Sequence, residues 1–162
     1  MRCIVMTMNI HSANKILSGL QECEIRRLYR LTYDPWDKVY VYIHNPYNMV
    51  IGEFIARNIY LIKDIHDLNC IEEKCIGLLK DKKYLKSLNT NFYTNSKFIV
   101  IEIGERKKYR VPVKLRYLRE LIYDFHPPIN YRILDIDACK ILEKIINKLN
   151  ESCETHHTHY LI

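Results

Sequence analysis

Residues 7–27 read TMNIHSANKILSGLQECEIRR and residues 37–54 read DKVYVYIHNPYNMVIGEF; the change of apolar period between them decides the fold. Ala13, Ile16 and Leu17 stand three and four apart, which predicts a helix over 11–18, with Ser12 as its cap and Gly19 as its stop. From Gln21 to Leu28 the period becomes two, with Gln21, Cys23 and Ile25 opposed to Glu22, Glu24 and Arg26, so a strand begins. Val39, Val41 and Ile43 alternate with Tyr40, Tyr42 and His44 in a second clear strand that Asn45 and Pro46 end. The run from Met49 to Ile62 is strand-like again, and Gly52 within it marks a bulge or a close backbone approach.

Outward from this centre, residues 2–8 form a short apolar strand, 96–104 a nearly continuous one, and 131–134 a closing one. Residues 109–115 are a further extended piece in which Pro112 argues for an edge or a strand end. Residues 64–88, charged and rich in Leu and Lys, read as one or two helices outside the sheet. A helix over 138–149 follows Asp137 as its cap, with Ile141, Leu142, Ile145, Ile146 and Leu149 on one face. Five or six strands separated by short helices that do not alternate strictly argue against a doubly wound parallel sheet. The expected class is α+β: a small mixed barrel or curled sheet with peripheral helices and a C-terminal helix. Residues 1–150 read as one domain and 151–162 as a flexible tail.

With 48% hydrophobic residues in 162, the chain has ample material for a core. Charges interrupt every apolar run well before the roughly 18 residues of a membrane span, so no membrane partner is expected. The N-terminus reads as a strand rather than a signal peptide, which implies an intracellular protein, cytoplasmic, or nuclear in a eukaryote. Six scattered cysteines fit free buried thiols better than a disulfide framework. No cofactor or metal is expected: Cys153, His156, His157 and His159 make half a zinc site without its second half.

The net charge of +6 is unevenly spread. Arg106, Lys107, Lys108, Arg110, Lys114, Arg116 and Arg119 follow one another without an acid, interleaved with Tyr109 and Tyr117. Such a segment suits phosphates, and a solvated basic face is its bland alternative.

The quoted stretches resemble the ASCH family of PUA-like barrel domains. Ala13, Ile16, Ser18, Gly19, Glu24 and Arg26 fall at the positions of its helix and its Ser-Gly-x-Lys-x-x-Glu-x-Arg pattern, and Pro46, Gly52, Glu53 and Phe54 at those of its Val-Gly-Glu-Phe strand. Residues 109–134, YRVPVKLRYLRELIYDFHPPINYRIL, are similar to its closing region through Pro112, Leu115, Pro127, Pro128 and Tyr131. The resemblance spans most of residues 5–134 and implies a PUA-like β-barrel with a cleft for RNA or a modified nucleoside. One branch of the family hydrolyses N4-acetylcytidine with a lysine and a threonine. The matching positions here are Gln21 and Glu24, while Asn9 and Ile10 replace a Lys-Pro pair, so binding is expected ahead of that catalysis.

The expected ligand-binding set is Asn9, Gln21, Glu24, Arg26, Asn45 and Glu53, with the basic segment contacting phosphates. Glu24 and Arg26 share a strand face about 7 Å apart, close enough to grip one ligand or to close on each other as a structural ion pair. Glu53 lies among apolar neighbours and needs a partner, for which Arg26 is the candidate. Asn45 can read a base edge or merely turn the chain. Tyr40, Tyr42 and His44 make either a stacking platform or a core stripe, and Trp36 either a base stack or a lid. RNA or a modified nucleoside is the expected partner, with DNA as a second nucleic acid. The alternatives are a hydrolase acting on a modified nucleoside or RNA, with Glu24 or Glu53 as base and Arg26 holding developing charge, and a protein-interaction module.

Overall fold

A computed structural model describes residues 1–27, 35, 37–63, 67, 75 and 98–151. Along the chain run β1 (Cys3–Met8), α1 (Ile10–Leu17), β2 (Cys23–Arg27), β3 (Lys38–Ile43), β4 (Met49–Ile62), β5 (Phe98–Lys114), α2 (Leu115–Leu121), β6 (Tyr131–Leu134) and α3 (Ile136–Glu151). The six strands form one mixed sheet in the order β2-β5-β4-β3-β1-β6, in which β1 and β3 are parallel and the other pairs antiparallel. The sheet curls into a half-barrel, the α+β architecture expected. Trp36, the helices expected over 64–88 apart from residues 67 and 75, and the Cys/His tail lie outside the described residues.

Two apolar layers clamp the sheet. Inside the curl, Ile4, Met6, Val39, Val41, Phe54 and Ile101 pack on Ala13, Ile16 and Leu17 of α1. On the other face Val5, Tyr40, Tyr42 and Val113 meet Leu118 of α2 and Ala138, Leu142 and Ile146 of α3. Tyr40 and Tyr42 are therefore core, fully buried, and offer no stacking platform. Gly52 is required by close approach, since a Cβ there would stand 2.6 Å from the Lys107 carbonyl oxygen and 2.7 Å from Leu17 Cδ1.

Several boundaries differ from expectation for local reasons. Asn9, not Ser12, caps α1, its Oδ1 accepting from the Ser12 amide at 2.8 Å. Gly19 ends that helix at φ 83°, as its position predicts. Asp135, not Asp137, caps α3 by accepting from the Ala138 amide at 2.7 Å. The pieces expected over 96–104 and 109–115 meet in one long strand, Phe98–Lys114. Pro112 is tolerated because β2 pairs only with Phe98–Glu102 and the β4 register slips between Val50 and Gly52. Helix α2, unforeseen, follows that strand directly.

The cysteines are not all free thiols. Cys3–Cys139 and Cys23–Cys75 are disulfide-bonded, with Cα separations of 5.8 and 5.5 Å across 136 and 52 residues of sequence. Scatter along the chain hides neighbours in space: β1 starts beside the first turn of α3.

Candidate functional site

The curl brings the edge strand β2 toward β1 and β6 without pairing it to them, and the resulting seam is closed by side chains. Arg26 on β2 donates from one terminal nitrogen to the Thr7 carbonyl at 2.8 Å and from the other to Asn130 Oδ1 at 3.0 Å. The Thr7 amide donates to the Asn130 carbonyl at 2.8 Å, and its hydroxyl to the Pro128 carbonyl at 2.6 Å, so the receiving lip is itself pinned. Arg26 Nε stands 2.9 Å from Glu24 Oε1 as a charge contact without hydrogen-bond alignment. Gln21 Nε2 reaches Glu24 Oε2 at 3.3 Å and the Cys23 carbonyl at 2.8 Å.

Burial raises the Glu24 pKa above the ordinary carboxylate value, while the charge of Arg26 and the hydrogen bond from Gln21 oppose that rise. Glu24 is 7% exposed, yet it lines a hollow rather than being enclosed in packed carbon.

That hollow, about 480 Å³, is lined by Glu24 and Arg26, by Asn9 and Ser12 at the start of α1, and by His44, Asn45 and Tyr47 in the turn after β3. On the other side of Arg26 it adjoins an open groove of about 1070 Å³, where Arg27, His126 and Arg132 stand among Pro127, Pro128 and Ile129. A charged pair at the floor, amides on the walls, half-exposed Tyr47 at the rim and cations alongside suit a polar planar ligand.

Of the expected ligand set, the fold brings Asn9, Glu24, Arg26 and Asn45 into one cavity, with Gln21 behind Glu24. Glu53 is elsewhere. Its carboxylate accepts from the Tyr109 hydroxyl on the face covered by α3, so the expected partner Arg26 is replaced by a tyrosine. Burial and the Glu53 hydrogen bond push the Tyr109 pKa upward, as burial does for Tyr40.

The basic segment divides. Arg106 donates to the Ile16 and Gln21 carbonyls, at 3.2 and 3.4 Å, capping the end of α1 instead of facing solvent. Lys108 reaches Asn14 Oδ1 at 3.2 Å, and Lys107 and Arg110 lie beside the end of α3. Lys114 pairs in register with Met49, and the Leu115 amide donates to the Asn48 carbonyl at 2.9 Å, so Lys114 and Arg116 adjoin the cavity's turn. Arg119 lies close enough to Tyr42 to act on it electrostatically.

Sequence reasoning missed Thr7 and Asn130. Thr7 acts through its carbonyl, which any residue carries, and the hint for Asn130 was its place after the stiff Pro127–Pro128 pair.

No family model matches the chain by sequence, and no curated protein does either. Solved structures do. The crystal structure of ASCH from Zymomonas mobilis is similar with a TM-score of 0.70 at 22% identity, over 88% of this chain and 94% of that one. A hypothetical protein from Leishmania major is similar at 0.57 and 10% identity, over 92% and 96%. The N-terminal domain of Staphylothermus marinus McrB is similar at 0.52 and 14%, over 88% and 93%. The half-barrel that holds the seam is thus the fold seen in the ASCH domain structures.

Proposed function

We propose that the chain is an ASCH-type nucleic-acid-binding protein that takes a base of RNA, or a modified nucleoside, into the seam. The observation that carries this reading is the Glu24–Arg26 pair at the floor of a cavity with room for a nucleoside. The carboxylate accepts from an exocyclic amine, and Asn9 and Asn45 offer both donor and acceptor. The Arg26 guanidinium opposes the neutralisation that burial favours in this carboxylate, and it holds the two lips together. Lys114, Arg116 and Arg119 supply phosphate contacts along the rim.

Fluorescence anisotropy with short RNA and DNA strands at two salt concentrations tests this. Binding that weakens with salt and is lost in Arg26→Ala, with the fold confirmed by circular dichroism, supports it. Binding that survives Arg26→Ala contradicts it.

A second reading, hydrolysis of a modified nucleoside or of RNA, draws on the raised Glu24 pKa, which suits a proton-transfer group. Turnover of N4-acetylcytidine or RNA abolished by Glu24→Gln is its signature.

A further inference from the structure

The end of β1 remote from the seam carries a second cluster with chemistry of its own. Cys3 on β1 and Cys139 and Glu143 on α3 bring two sulfurs and a carboxylate oxygen within 4.8 Å of one another. Cys139 and Glu143 are four residues apart and share one helix face, which is why both reach the same point of the sheet. Cys3 is buried, whereas Cys139 and Glu143 are half-buried, so the cluster opens toward solvent on the α3 side.

In the disulfide state the two sulfurs are bonded to each other. Exchange with two equivalents of a small thiol such as glutathione breaks that bond. Each protein sulfur then gains one electron and one proton, and the two glutathiones leave joined as their own disulfide. Two thiolates and the Glu143 carboxylate carry three negative charges. The Lys38 ammonium, 2.8 Å from Glu143 Oε1, offsets one of them. The remaining double negative charge matches a divalent cation.

The hydrogen bonding also suits an ion. Lys38 and the Tyr40 hydroxyl both fall on Oε1, at 2.8 and 3.3 Å, so the carboxylate is held in place beside the two sulfurs. Paired thiolates favour zinc over magnesium or calcium, and three protein ligands leave the fourth tetrahedral position to water. We propose that the reduced chain binds one zinc-type divalent ion through Cys3, Cys139 and Glu143, and that this metal site and the Cys3–Cys139 disulfide are alternative states of one cluster.

The test uses the full chain, reduced with a phosphine and titrated with Co²⁺ as a spectroscopic probe, then with Zn²⁺ in competition. One equivalent of Co²⁺ should give sulfur-to-cobalt charge-transfer absorption that Zn²⁺ abolishes. Oxidation beforehand should prevent it. Cys139→Ser should lose the band, and Glu143→Gln, which keeps both thiols and serves if Cys139→Ser does not fold, should weaken binding at least about tenfold. A variant without the tail donors (Cys153→Ser with His156, His157 and His159 all to Ala) should bind as the wild type does. Absence of the band from folded, reduced wild type overturns the proposal. So does a band that survives Cys139→Ser or Glu143→Gln unchanged, or disappears with the tail donors.

Discussion

Glu24 and Glu53 start from the same local situation, an acid on a strand with apolar neighbours, and the fold uses them in opposite ways. Glu24 sits on an edge strand, faces a cavity and is held by a guanidinium. Glu53 sits on a central strand under α3 and receives the Tyr109 hydroxyl. A neutral donor satisfies a carboxylate that nothing needs to reach. A fixed cation opposes the neutralisation that burial favours where a ligand can enter, and that arginine must itself be positioned by Thr7 and Asn130.

The largest break in this contrast comes from Arg26→Ala, which strands Glu24 without its cation and unfastens the seam. It should cost about 3–5 kcal/mol in chemical denaturation and remove ligand binding together. Tyr109→Phe is the matching change on the closed side. It leaves Glu53 without its donor, at about 1–3 kcal/mol, and should leave ligand affinity as it was.

Acidity sharpens the contrast further. Because burial raises the Glu24 pKa, its carboxylate is neutralised at a higher pH than an ordinary one. Affinity for a ligand that donates to this carboxylate is therefore full above the raised pKa and is lost as pH falls through it, by up to about tenfold per pH unit. Binding in Glu24→Gln should lack that step. The smallest effect is electrostatic. Lys114→Gln or Arg119→Gln should flatten the dependence of affinity on salt by about 0.7 for each phosphate no longer neutralised on a single strand. Lys107 pairs with Glu53, four residues or about 13 Å along β4 from the Met49 that pairs with Lys114, and Lys107→Gln should change the salt dependence less.

Much of this was legible in the residues. The shift from a spacing of three and four to a spacing of two placed α1, β2, β3 and β4, and Gly52 announced the close approach that the Lys107 carbonyl imposes. Glu24, Arg26, Asn9 and Asn45 read as one set and do line one cavity. The fate of Glu53 was hidden because strand parity is reset by the irregular pairing on either side of Gly52. Helix α2 was hidden because LRYLREL follows a strand with no capping side chain to announce it. The disulfides were hidden because pairing depends on which strand start meets which helix turn, which only the sheet order reveals.

The central claim is that the seam, and not the basic strand, holds the base. Backbone amide shifts of the ¹⁵N-labelled chain titrated with a short single-stranded RNA address it residue by residue. Perturbations are expected at Thr7 to Ile10, Glu24 to Arg27, His44, Asn45, Tyr47, Asn48 and Asn130. Shifts confined to Lys107 to Arg110 and the end of α3, with the seam silent, would contradict it.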